Sequence, residues 1–224
     1  DTIKLPATLE MEAEALTFVL SYMTKLETIA IEEGSRTYST VQGMLTNAAR
    51  DEIIYCPTLY KGAEGVFTVP QGITSIAANA FRGRKSITEI VIPAYVENIG
   101  DRAFENCSEM TEIELPDTVL KIGSGAFIGC NSLTSVKLPE DLEELGAYAF
   151  MNCSSLEEVL IPSTIKKIDE RAFEGCTNLK RAIFYDVKEE EDIFDEDDEE
   201  STPVIPVAPY LEICEHAFSN CSSL

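Results

Sequence analysis

The chain of 224 residues carries 40 acidic side chains against 17 basic ones, a formal net charge of -23. That field repels nucleic acid and anionic membrane surfaces alike, so neither is an expected partner. Hydrophobic residues make up 45% of the chain, enough for a packed core, yet no apolar run approaches the roughly 20 residues that span a bilayer, and the opening DTIKLPATLE lacks the basic start and apolar stretch of a secretion signal.

In chain order, residues 1–31 come first. Val19, Leu20, Met23, Leu26, Ile29 and Ile31 are spaced like a degraded form of the repeat that follows, with larger residues where that repeat has alanine and cysteine. The stretch LEMEAEALTFVLSYM also fits an amphipathic helix, because periodicity does not separate the two readings over so short a span. From Ile31 to Val69 is 38 residues, one 23-residue period plus 15. From there on the repeat is plain. Pro70, Pro93, Pro116, Pro139 and Pro162 are each 23 residues apart, and so are Phe81, Phe104, Phe127, Phe150 and Phe173. A period in the twenties with leucine-like spacing specifies a repeat solenoid, in which each coil packs only on its neighbours.

Within a period, Leu133-x-x-Val136-x-Leu138 ends in the alternation of a short strand with one buried face, and Pro139 stops it because proline has no N–H for a ladder. The next apolar pair, Val119 and Ile122 in one repeat, predicts a second, shorter extended segment. Gly100, Gly123 and Gly146 follow it directly, with Asp169 in that place in a fourth repeat, which points to a turn conformation that glycine adopts easily. The Ala-Phe-x-x-Cys-x-x-Leu stretch has i, i+3 spacing but is too short for a stable helix, so a single 3₁₀ or α turn is expected and each coil is roughly triangular.

Cys107, Cys130, Cys153 and Cys176 recur at the period, and Cys221 lies 45 residues further on. Coils stacked about 4.8 Å apart hold such side chains parallel, so their Cβ atoms also stay about 4.8 Å apart where a disulfide wants about 3.8 Å. One histidine, His216, leaves zinc little besides a row of thiols, and no base accompanies the cysteines to activate a nucleophile. The cysteines are therefore expected as reduced core thiols, and the phenylalanines as a stacked aromatic spine.

These residues together carry a resemblance. The pattern AFxxCxxLxxVxLPxxVxxIGxxAF resembles the BspA-type leucine-rich repeats of many bacterial surface proteins and some protist parasite surface proteins. It runs over about residues 65–184 and resumes in LEICEHAFSNCSSL, 211–224. The resemblance implies a leucine-rich-repeat right-handed superhelix of mostly short parallel strands. One solenoid is then divided into a degraded repeat at 1–31, an extended repeat with a β-hairpin at 32–68, regular repeats at 69–184, an insertion at 185–206 and a final partial repeat at 207–224. In the extended repeat the hairpin strands are expected near 41–46 and 51–56, joined around NAARD. The family likeness further implies an extracellular or cell-surface protein and a non-enzymatic recognition or adhesion module, with protein or glycan partners, host or extracellular-matrix ones included.

Residues 186–200 hold 11 acids and one lysine, a self-repelling block expected as a solvated or disordered loop, followed by the proline-rich STPVIPVAPY. It lacks the spacing of a structured calcium loop. The Asn-Cys-Ser triplets at Asn106, Asn152 and Asn220 match glycosylation acceptors formally, but Asn or Gly precedes cysteine as part of the repeat. No catalytic motif, cofactor loop or metal-ligand cluster is found in the sequence. Alternation instead assigns two outward columns on the strand face: Glu89, Glu112, Ser135, Glu158 and Arg181, then Val91, Glu114, Lys137, Leu160 and Ile183. Two functions compete, a recognition module using this face and a spacer that holds another domain away from the cell with no ligand of its own. The ends lack polar caps, so the chain reads as a piece of a longer protein, with end-to-end self-association expected at raised salt.

Overall fold

The computed structural model describes residues 1–60, 66–185 and 211–224. From residue 186 on, the insertion expected at 185–206 lies outside the described residues, as does the reading of its acidic block as a disordered loop.

The solenoid is built on two parallel ladders. The first contains β6 (Val66–Thr68), β8 (Glu89–Val91), β10 (Glu112–Glu114), β12 (Ser135–Lys137), β14 (Glu158–Pro162) and β16 (Arg181–Tyr185). Each strand holds the repeat's x-apolar-x segment, whose apolar residue points inward: Phe67, Ile90, Val136 and Val159 are buried; the repeat proline does not end every strand, since β14 runs on through Pro162, which pairs with Tyr185. The second ladder stacks two-residue strands, β7 (Ser75–Ile76), β9 (Asn98–Ile99), β11 (Lys121–Ile122), β13 (Glu144–Leu145), β15 (Lys167–Ile168) and β17 (Glu212–Ile213), in 23-residue register up to β15, each burying its isoleucine or leucine except β17, whose Ile213 is exposed.

The third side of each coil is not the 3₁₀ or α turn that the i, i+3 spacing predicts. Alternate residues bond in different directions. Asn79, Phe81 and Gly83 donate their N–H groups to Asp101, Ala103 and Glu105 of the next coil, while Ala80, Arg82 and Arg84 donate locally to Ala77, Asn79 and Phe81. Alternation of this kind needs left-handed residues, and they occur in pairs around each Ala-Phe: Arg102 with Asn106, Gly125 with Gly129, Tyr148 with Asn152, and Arg171 with Gly175, at φ of 54 to 75°. The Asn or Gly before each cysteine is there because those residues enter this region at least cost. Gly100, Gly123 and Gly146, expected to serve a turn, have no such φ. They serve close approach instead: a Cβ on Gly123 would lie 2.6 Å from the Asp101 nitrogen and 2.7 Å from the Gly100 carbonyl carbon.

The interior is a column of rings. Phe81, Phe104, Phe127, Phe150, Phe173 and Phe218 stack with centroids 4.9 to 5.5 Å apart and planes within 16° of parallel. Beside it runs the thiol column. All seven cysteines are free, and in the repeats each Sγ donates to the spine phenylalanine carbonyl one coil back, Cys107 to Phe81 and Cys153 to Phe127 at 3.1 Å, Cys130 to Phe104 at 3.3 Å. The same carbonyls already accept a local N–H, for example Phe104 from Cys107. The thiol thus satisfies a second lone pair inside the core, which alanine would leave bare. Burial raises the thiol pKa of Cys107 and Cys153, and pushes that of Cys176 up to about 12.

At the N-terminus β1 (Thr2–Leu5) pairs in parallel with β2 (Thr28–Ile31), so a coil is present, but α1 (Ala13–Ser21) replaces its turn side. The helix is the alternative reading of that segment, and it corrects the degraded-repeat alignment. Leu16 and Leu20 pack into a second core with Leu5, Leu26, Ile29, Tyr38, Leu45, Ile54 and Tyr55, while Val19 is 47% exposed and does not occupy an alanine slot. The extended repeat holds three strands where two are predicted: β3 (Tyr38–Val41), β4 (Met44–Asn47) and β5 (Glu52–Tyr55), antiparallel in sequence. The missed strand arises because Gln42 and Gly43, at φ of 52 and 81°, make the tight two-residue turn that hairpins favour. β5 then pairs in parallel with β7, so the hairpin extends the second ladder into a nine-stranded sheet.

Arg84 joins the two parts. It stands in the slot of the column cysteines, is only 5% exposed, and donates from Nε to the Cys56 carbonyl at 2.7 Å and from Nη1 to the Arg82 carbonyl at 3.0 Å, over the Tyr55 ring at 4.8 Å. The first regular coil therefore replaces a thiol donor with a longer guanidinium donor that reaches back into the hairpin.

Candidate functional site

The two columns predicted on the strand face are brought together by pairing in 23-residue register. Glu89 lies beside Glu112, Val91 beside Glu114, Ser135 beside Glu158, Lys137 beside Leu160, Glu158 beside Arg181, and Leu160 beside Ile183. All ten side chains are at least partly accessible, but unequally. Glu89, Val91, Glu158 and Leu160 are half-buried, whereas Glu112, Glu114, Ser135, Lys137, Arg181 and Ile183 are exposed.

The face is also not one continuous sheet. β6, β8 and β10 form one three-stranded sheet and β12, β14 and β16 another; between β10 and β12 a long bond from Thr134 N–H to the Thr111 carbonyl, 3.4 Å, links the coils. The two halves differ in charge. On the first, Glu89, Glu112 and Glu114 have no ion pair among the described residues, and no lysine or arginine shares their strands. On the second, the charges are matched. Arg181 reaches Glu158 at 2.5 Å, and Lys137 lies 3.0 Å from Glu140 and 3.9 Å from Asp117.

Lys137 is held from a further side that periodicity does not reveal. Tyr185, at the end of β16, sends its hydroxyl to the Leu138 carbonyl at 2.8 Å and lays its ring 5.0 Å from the Lys137 ammonium. Burial, with Glu140 and Asp117 nearby, raises the Tyr185 pKa. Tyr185 belongs to the strand face but falls past the last repeat position, so only the excess of aromatic residues in RAIFY signals it.

Among the described residues, no group of three or more His, Cys, Asp or Glu is arranged to hold a metal ion, and no helix is long and apolar enough to cross a membrane. What the face offers is broad contact: unneutralised carboxylates at one end, and aliphatic side chains among paired charges at the other.

Residues 64–180 match the family described as the BspA type leucine rich repeat region, in six copies. The chain belongs to that family. Solved structures share the fold of this BspA-type protein. A leucine rich cell surface protein from Faecalibacterium prausnitzii is 28% identical, with a TM-score of 0.72 over 82% of this chain and 47% of its own. The pneumococcal vaccine antigen PcpA gives 20% identity and 0.68 over 84% and 45%, and a leucine-rich repeat protein from Eubacterium ventriosum gives 20% and 0.68 over 99% and 59%. The BspA-type chain thus spans about half the length of these relatives. No curated protein matches it.

Proposed function

We propose that this BspA-type solenoid is an extracellular, non-enzymatic recognition module that binds a macromolecular partner, a protein foremost, through the strand face. The observation that carries the reading is the first half of that face, where Glu89, Glu112 and Glu114 present carboxylates without cationic neighbours on their strands. Unpaired like charges on adjacent strands destabilise a sheet slightly, and a partner supplying lysine or arginine removes that repulsion. Exposed Ile183 and half-buried Leu160 provide apolar contact further along the same face. The cell-surface relative from Faecalibacterium prausnitzii supports the location.

The test is solid-phase binding of the 224-residue chain to extracellular-matrix proteins and host cell-surface proteins. Saturable binding that weakens with salt and falls at least about tenfold in the double variant Glu112→Lys, Glu114→Lys is expected. An equal loss in the control Glu144→Lys, on the second ladder, would remove the strand face from the reading. No binding to any of the proteins would leave the chain as a spacer.

A further inference from the structure

The helix that replaces the turn side of the first coil carries an apolar surface of its own. α1 buries Leu16 and Leu20 in the second core, yet Phe18 and Tyr22 are 63% and 71% exposed, with Val19 and Met11 beside them at 47% and 38%. Successive residues turn about 100° around a helix, so Ala15, Phe18 and the C-cap Tyr22 fall on the side opposite Leu16 and Leu20. Among the described residues eleven large apolar side chains are exposed, and five of them lie between Met11 and Met23, while the other six are spread over residues 59–224. Scattered exposed apolar groups need no explanation, but a contiguous stripe does. A helix apolar on two opposite faces belongs between two surfaces, and the described residues cover only one.

The stripe is held in place. Phe18 and Tyr22, one turn apart, meet edge-on with centroids 5.2 Å apart at 80°, so they present a fixed aromatic pair. The helix beneath them is anchored by Tyr55, whose hydroxyl donates to the Leu20 carbonyl at 2.9 Å. Along one flank Glu14, Phe18 and Ser21 face Asn79 and Arg82 of the first regular coil across a cleft of about 410 Å³, which has room for an aromatic side chain. The Tyr22 hydroxyl and the Asn79 carboxamide make no hydrogen bond among the described residues. A tyrosine entering the cleft from outside can give its hydroxyl the partner that a buried tyrosine needs.

A second copy of the chain fits this face by area and by charge. At their exposures Phe18, Tyr22, Val19 and Met11 offer about 450 Å² in all, so two copies meeting here bury about 900 Å², or about 1,000 Å² with Ala15 and the cleft rim, the lower bound of a specific interface. Glu12 and Glu14 stand at the start of the helix and Lys25 lies beyond its end. Antiparallel packing of two copies therefore sets the carboxylates of one beside the ammonium of the other and opposes the two helix dipoles. Repulsion between copies is weak at this end: residues 1–26 hold four acids and two lysines, -2 of the chain's -23. We infer that two copies pair through α1, antiparallel about a two-fold axis, with Phe18 and Tyr22 at the centre and each Tyr22 entering the cleft of the other copy. Such an isologous contact closes as a dimer. No residue of it lies in the two columns of the strand face, so the pairing does not depend on the function proposed above.

The test is sedimentation velocity of the 224-residue chain from about 2 to 200 μM, because an interface of this size gives a weak dimer. A monomer–dimer equilibrium is expected, and the double variant Phe18→Ser, Tyr22→Ser should weaken it at least about tenfold. Its melting temperature should match the parent, since both side chains are exposed and Leu16 and Leu20 keep their core contacts. Lys25→Glu should weaken pairing about threefold, and adding Glu12→Lys and Glu14→Lys to it should restore the parent behaviour. The strand-face variant Glu112→Lys, Glu114→Lys should pair like the parent, so that this contact is read apart from partner binding. A monomer at every concentration overturns the inference, as does self-association that the Phe18, Tyr22 variant leaves intact. Charge reversal that fails to restore pairing overturns the antiparallel arrangement. Binding of a monomeric chain to phosphatidylcholine vesicles, lost in the Phe18, Tyr22 variant, also overturns the inference and assigns the stripe to a lipid surface.

Discussion

Truncating Phe127 to alanine tests the spine most directly. Its ring is fully buried and sandwiched, with Phe104 at 5.2 Å on one side and Phe150 at 4.9 Å on the other. A buried phenylalanine lost from a rigid core costs about 3–5 kcal/mol. Two stacked neighbours, each worth about 0.5–1.5 kcal/mol beyond area, put this site toward the upper end. The backbone on both sides is pinned by inter-coil bonds, Phe104 N–H to Ala126 and Phe127 N–H to Ala149, so collapse into the cavity is restricted. Phe218 is the internal control. It is half-buried and stacks on one ring, Phe173, at 5.1 Å, so Phe218→Ala should cost roughly 1–2 kcal/mol. Urea unfolding followed by circular dichroism measures both. A loss below about 1 kcal/mol at Phe127, or equal losses at the two positions, would refute the stacked spine as the main source of stability.

Native alkylation at neutral pH should leave Cys107, Cys130, Cys153 and Cys176 unmodified, with all of them labelled after denaturation; a disulfide among them in the mass spectrum would refute the thiol column. Alkali gives the same result a sign. Burial pushes the Cys56 and Cys176 thiols up to about 12, and raises those of Cys107 and Cys153 too. Above roughly pH 8.5 the unfolded chain loses these protons while the fold retains them, so stability is whole below that pH and declines by about 1 kcal/mol per thiol per pH unit toward about 12. Urea midpoints that stay level from pH 8 to 10 would contradict it. Asn106→Ala, at φ 60°, should cost about 1 kcal/mol and Asn106→Gly should be tolerated, measured by the same unfolding assay. Gly123→Ala drives a Cβ into neighbouring backbone and should cost about 1–3 kcal/mol, whereas Gly72→Ala, with nothing within 4 Å, should lose only the smaller strain of its positive φ.

The sequence alone determined the solenoid, its 23-residue period, both ladders, the phenylalanine spine and the two columns of the strand face. Each follows from side-chain periodicity, and in a repeat protein one coil's pattern is copied by its neighbours, so a local reading extends along the stack. Only the tertiary structure decided what depends on how coils meet. Gly123 is glycine because the adjoining backbone stands where its Cβ would be, and Asn106 because inter-coil bonding requires a left-handed residue there. A thiol in the column reaches a carbonyl 26 residues earlier, and Arg84 takes over that task where the hairpin begins. The N-terminal apolar run became α1 because Leu16 and Leu20 had the hairpin's Tyr38, Leu45 and Tyr55 to pack against, a surface that regular coils do not offer. The break of the strand face between β10 and β12 and the tie from Tyr185 to Lys137 were likewise illegible in the sequence, since each joins residues from different coils by contacts that no single period contains.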